Sequence, residues 1–149
     1  MAIKTRVAAA CLALLVGLML ASTAAFAQTQ SQSIKDRLVG HWQLVSIAIN
    51  DTAPYGASPQ GSMFFDAGGH YAIIVLSGGA ARNISYFGTY TVDDADNSIT
   101  MHIDGSSRAN ADGRDQKRLV TLDGDQLTVS TPASTGRKAS IKLTWQRAN

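Results

Sequence analysis

Three residues in the middle of this chain could move a proton: Tyr86, Tyr90 and His102. Histidine titrates near neutral pH and a tyrosine hydroxyl both donates and accepts. A facing pair could therefore serve as acid and base in an isomerase or cyclase. These are the candidate catalytic residues, and the chemistry requires all three on one face. The local pattern opposes that. Ile99, Met101 and Ile103 alternate with Thr100, His102 and Asp104, so the apolar face and His102 point oppositely. Only a one-residue slip of that strand would bring His102 to the tyrosines. His41, His70 and His102 fall in separate segments with no ligand spacing, so neither a metal nor a cofactor is expected. Asp93-Asp94-Ala95-Asp96-Asn97 begins like a calcium loop but lacks the later bidentate glutamate and reads as a turn. The chain has no serine in a Gly-x-Ser-x-Gly setting and no glycine-rich phosphate loop leading into a helix.

What could position such residues depends first on which part of the chain folds. Lys4 and Arg6 precede an apolar stretch from Val7 to Leu20, and small residues end at Ala25-Phe26-Ala27. That order is a secretory signal peptide, expected over residues 1–27. The stretch is short for a membrane span of about 20 residues, and an uncleaved anchor is the rival reading. Cys11 precedes most of the apolar run, which argues against a lipid-attachment site. The expected location is periplasmic or secreted. Cleavage after Ala27 would remove the only cysteine, leaving a chain without disulfides or a thiol nucleophile. It would also remove two of the thirteen basic residues, leaving eleven against eleven acids. A neutral mature chain is not a nucleic-acid binder, which would carry a basic surplus. No membrane span remains after the signal. All eleven acids are aspartate, a residue suited to turns rather than helix interiors.

Residues 28–33 are polar and read as a flexible tail, and 34–149 as one domain. Ser33 would cap one or two helical turns that stop at Gly40. The rest reads as eight short strands, near 41–50, 61–66, 70–77, 85–92, 98–104, 117–122, 125–131 and 139–147. Their connections alternate in length. Residues 66–69, 93–97 and 123–124 are tight turns; 51–60, 78–84, 105–116 and 132–138 are long. In an antiparallel meander, alternate loops share an end. The prediction is all-β: an eight-stranded up-and-down antiparallel barrel with a short N-terminal helical turn. It is a cup with a tight-turned floor and a loop-rimmed mouth. A two-sheet sandwich is the structural rival.

Several segments carry a family resemblance. They are Leu38-Val39-Gly40-His41-Trp42-Gln43-Leu44-Val45-Ser46, Gly61-Ser62-Met63, Tyr86-Phe87-Gly88-Thr89-Tyr90-Thr91-Val92-Asp93 and Leu122-Asp123-Gly124-Asp125-Gln126-Leu127. Their order across nearly the whole mature chain resembles the bacterial lipocalin-like domain proteins, a calycin-type barrel family. The resemblance implies a barrel with a pocket. It also implies that Trp42, behind Gly40 at the start of the first strand, crosses the closed end against a basic residue near the end of the last. Arg147, two residues after Trp145, fits that place, and the geometry of a closed barrel makes the first and last strands neighbours. Gly40, Trp42, Trp145 and Arg147 are thus the expected structural floor.

Parity then fixes a lining. With Trp42 inward, Leu44, Ser46 and Ala48 follow it, and Val45, Ile47 and Ile49 face out, covered by the N-terminal segment or by a second copy. Later strands would contribute Tyr86, Tyr90, Met101, Ile103, Val129, Ile141 and Leu143. The long loops and adjoining strand ends collect Arg82, Arg108, Arg114, Lys117, Arg118, Arg137 and Lys138 against Asp51, Asp104, Asp112 and Asp115. A positive mouth would favour an anionic ligand; the competing explanation is surface solubility. The expected ligand-binding residues are Tyr86, Tyr90, Met101, Ile103, Val129, Ile141, Arg82 and Arg108. The expected partner is a small apolar or amphiphilic molecule such as a fatty acid or carboxylated aromatic, bound by a monomer or homodimer. An interaction module that grips another protein with its rim loops is the remaining alternative.

Overall fold

The computed structural model describes residues 32–77, 83–133 and 139–148. They form α1 (Ile34–Leu38), β1 (Gly40–Ile49), β2 (Gln60–Phe65), β3 (His70–Leu76), β4 (Ile84–Asp93), β5 (Ser98–Ser106), β6 (Asp115–Asp123), β7 (Gln126–Ser130) and β8 (Ile141–Arg147). Each strand pairs antiparallel with the next, and β8 pairs with β1, closing the ring. The barrel, and not a two-sheet sandwich, is therefore the fold. Strand positions follow the alternation closely. The largest departures are at ends: β5 runs on to Ser106, past 104, β6 starts at Asp115, before 117, and β8 at Ile141, after 139. The signal peptide, most of the tail, Arg82, Arg137 and Lys138 lie outside the described residues.

Ser33 caps α1, its Oγ accepting from the Asp36 amide at 3.2 Å. The helix places Leu38, fully buried, under the barrel. Gly40 then opens β1 at φ +134°, a conformation closed to most side chains. Space excludes them as well: a Cβ at Gly40 would lie 2.8 Å from Nη1 of Arg147. The glycine makes room for the arginine.

Trp42 is 0 % exposed. Its Nε1 donates to the Leu38 carbonyl at 2.8 Å. The Arg147 guanidinium lies 4.2 Å from the ring centroid. Arg147 also donates to the Val39 carbonyl at 2.9 Å and the Arg37 carbonyl at 2.5 Å, and pairs with Asp125 at 3.3 Å. One arginine thus ties α1, β8 and the β6–β7 turn across the tryptophan face. Tyr90 belongs to the same end: its hydroxyl donates to the Asp66 carbonyl in the β2–β3 turn at 2.9 Å, and its ring meets Phe65 edge-on at 4.9 Å.

Two strands break parity on the way to the mouth. In β1, Leu44 pairs with Trp145 and Ser46 with Thr144, so Val45 is an extra residue in a bulge. Val45 and Ser46 both face out, and Ile47 returns inside at 2 % exposure. The simple alternation is corrected here: Ile47 and Ile49 face the interior, and Ser46 is exposed. In β5, Gly88 of β4 pairs with Ile103 and Phe87 with Gly105, leaving Asp104 as the extra residue. Gly88 is required at this site, because a Cβ there would fall 2.0 Å from the His102 carbonyl oxygen. The bulge brings Ser106 in beside Tyr86. Both bulges lie above the floor and rotate the upper half-strands relative to the lower ones.

Candidate functional site

The two ends of the barrel interior differ. Below the bulges it is filled by Trp42, Met63, Ile99, Met101, Leu127 and Trp145, all at most 2 % exposed. Above them a cavity of about 110 Å³ remains, opening toward the mouth. Most of its wall is branched aliphatic. Ile47 and Ile49 come from β1, Ile141 and Leu143 from β8, Ile73 and Val75 from β3, with Ile84 and Ile103 completing the surface. β-branched residues suit this place because they are strand formers whose stiff side chains hold a wall with few rotamers.

The remaining wall is polar. Tyr86 from β4, Ser106 from β5 and Gln116 and Arg118 from β6 face the cavity together. Three loop residues reach its rim: Tyr55, Arg108 and Ala111. Tyr55 is buried although it stands in a Pro- and Gly-containing loop, folded over the cavity edge. Tyr86 stacks edge-on against Tyr71 at 5.9 Å. Burial raises the Tyr86 pKa, while the nearby Arg118 and Arg108 guanidinium groups pull it back. Its hydroxyl therefore stays neutral at ordinary pH and lies within the field of both cations. Tyr71 is raised too, chiefly by burial and next by Tyr86 and Asp104; its hydroxyl donates to the His102 carbonyl at 3.1 Å.

Of the expected ligand-binding residues, Tyr86, Ile103, Ile141 and Arg108 line this cavity. Tyr90, Met101 and Val129 face inward but are packed away from it; Tyr90 is held at the floor by its bond to Asp66. Tyr90 thus plays a packing part, and its raised pKa comes first from burial, then from Asp66 and Asp36. Leu143 is in the wall as parity predicts. The candidate catalytic trio does not assemble. His102 faces outward from β5, its Nδ1 2.7 Å from Asp115 Oδ1 and its Nε2 3.7 Å from Asp104 Oδ1. The β5 register keeps Met101 and Ile103 inside, so the slip that would turn His102 to the tyrosines has not occurred.

The mouth charge count also changes. Lys117 bonds to Asp96 in the β4–β5 floor turn at 2.7 Å and faces outward. The pair lifts the Lys117 pKa and lowers that of Asp96. Arg118 instead faces inward. Sequence reasoning placed it only among rim charges and missed Gln116, Ser106 and Tyr55. A signal for Arg118 was present: Val120 and Leu122 are apolar at the same parity, so Gln116 and Arg118 had to share their face. Tyr55 had a weaker one, a lone aromatic in a loop of small residues.

Among the described residues no group of three or more His, Cys, Asp or Glu side chains could hold a metal ion. Residues 79–148 match the family model described as lipocalin-like domain. The matched span runs from β4 through β8 and includes the polar wall and Arg147. A search of curated proteins found no match.

Proposed function

We propose that this lipocalin-like domain protein, with the family's domain at residues 79–148 and a closed eight-stranded barrel, binds one small, largely apolar ligand in its upper cavity. The observation that carries the reading is the amphipathic lining: a branched aliphatic wall faces a short polar wall in one enclosure. A concave site with mostly apolar surface and a few convergent polar groups is the usual form of a small-molecule site. The volume argues for a compact ligand. A cavity of about 150 Å³ engineered in another protein holds benzene, and drug-sized sites run to roughly 300–1,000 Å³. About 110 Å³ suits a body the size of one small ring or a short branched chain. A long acyl chain would have to leave the barrel through the mouth. Residues 1–27 support an exported protein that meets such a ligand outside the cytoplasm.

Two measurements test this. A native mass spectrum of gently purified protein should show a discrete added mass if cargo survives purification. Isoleucine methyl spectra should shift at Ile47, Ile73, Ile103 and Ile141 when small aromatic or branched aliphatic probes are added. Ala111→Trp, placed at the rim, should abolish those shifts and leave the fold intact. Unmoved isoleucine methyls across acidic, neutral and alcoholic probes would overturn the reading.

A further inference from the structure

The position of Arg118 is unusual for its strand. Residues of β6 alternate with Gln116, Arg118 and Val120 inside and Lys117 and Leu119 outside. Leu119 is exposed while the arginine beside it faces the barrel interior. Buried Val120 and the partly buried Leu122 set this phase lower in the strand. On β1 and β5 a bulge resets the phase above the floor. The β6 pairings with β5 and β7 run without a shift, so the phase is carried unchanged to the mouth. A cation and an amide therefore enter an enclosure whose larger wall is aliphatic.

Arg118 is also held in a definite orientation. Its Nη1 donates to the Lys117 carbonyl at 3.0 Å, and its Nη2 donates to Oε1 of Gln116. The Tyr86 hydroxyl and the Ser106 Oγ belong to the same wall, and Arg108 stands at the rim. A guanidinium presents five donors in a planar fork suited to a carboxylate. Here that fork shares one cavity with the Tyr86 and Ser106 hydroxyls and with Ile47, Ile73, Ile103 and Ile141.

We infer that the polar wall is a carboxylate clamp, in which Arg118, oriented by Gln116 and assisted by Tyr86, selects a small organic monocarboxylate with a compact apolar body. This rests on the cavity being the ligand site. The carboxylate meets the arginine, and the body lies on the isoleucine wall. Arg108 adds field at the entrance and no fixed contact. The cavity volume places the size limit near a single ring, so the clamp favours short acids over long-chain fatty acids.

The test pairs benzoate with benzamide, which share a ring and differ in charge. Each is titrated calorimetrically into the full mature chain and followed by isoleucine methyl shifts. Wild type should bind benzoate at least about tenfold more tightly than benzamide, as a charge-assisted bond adds to ring burial. Arg118→Gln should remove that preference by weakening benzoate binding far more than benzamide binding. Arg118→Lys should restore part of it, because an ammonium keeps the charge and loses the fork. Benzamide binding reports that the variant still folds around its cavity. Equal binding of both probes by wild type would overturn the clamp and keep the cavity reading. A benzoate preference that survives Arg118→Gln would also overturn it. Binding of neither probe, with unmoved methyl signals, would overturn both.

Discussion

The floor and the mouth of this barrel are made from the same eight strands, yet they are held in opposite ways. At the floor, Trp42 fills the axis, Arg147 covers its face, and the surrounding carbonyls of Arg37, Val39 and Leu38 all receive donors. At the mouth, the strands keep a gap between an aliphatic wall and a polar one. Around Trp42 the polar groups are paired within the chain, whereas at the mouth Arg118, itself bonded to Lys117 and Gln116, and Tyr86 border an open cavity. A fold can thus concentrate its cohesion at one end and hold the other open, since unfilled space costs stability.

Substitutions should separate the two ends in order of effect. Trp42→Ala is expected to cost about 3–5 kcal/mol, read by denaturant unfolding, because it removes a fully buried indole. Gly88→Ala should follow at about 3 kcal/mol, since its Cβ would collide with the His102 carbonyl and the bulge would have to rearrange. The two tryptophans offer a finer comparison. Trp145 is equally buried, but its Nε1 has no hydrogen-bond partner among the described residues. Trp42→Phe should therefore cost about 1 kcal/mol more than Trp145→Phe, as only the former loses a bond. If the costs were reversed, the floor would not depend on the Leu38 contact. At the mouth, Arg118→Gln should cost about 1 kcal/mol, as its bonds to Lys117 and Gln116 are lost, while changing ligand preference.

The smallest effect lies in the floor turns. Hydrogen bonds from the His70 amide and ring, the amide first, hold the Asp66 carboxyl below its ordinary 3.8. A depressed carboxylate pKa stabilises the fold above the unfolded value. That contribution is lost as pH falls from about 3.8 through the folded value. Asp66→Asn should flatten the acid limb of a melting-temperature profile in that window and leave neutral binding unchanged. An acid limb of unchanged slope would show that the turn is not sensitive to this pair.

The lower half of the barrel was legible in the sequence because each signal there is local. The family resemblance implied that Trp42, behind Gly40, crosses the closed end, and strict alternation along β5 and β8 reports which residues are inside. Loop lengths told floor from mouth without any contact being known. The upper half was less legible because bulges are not written in hydrophobic periodicity. Val45-Ser46-Ile47 reads equally well as continued alternation, and that reading sent Ile47 and Ile49 outward. Whether an extra residue is accommodated depends on the partner strand, here Thr144 and Trp145, which lies about a hundred residues away. Tyr55 was hidden for a related reason: a loop declares its exposure only once the opening it covers exists.

The bulge at Val45 has a further consequence. It acts as a joint between two independently adjustable sections of β1. Below it, Trp42 and Leu44 are locked to the plug; above it, Ile47 and Ile49 form the cavity wall. Removing Val45 would close the bulge and restore plain alternation, with Leu44, Ile47 and Ile49 still inward opposite Trp145, Leu143 and Ile141, so the extra residue can be lost without exchanging the wall.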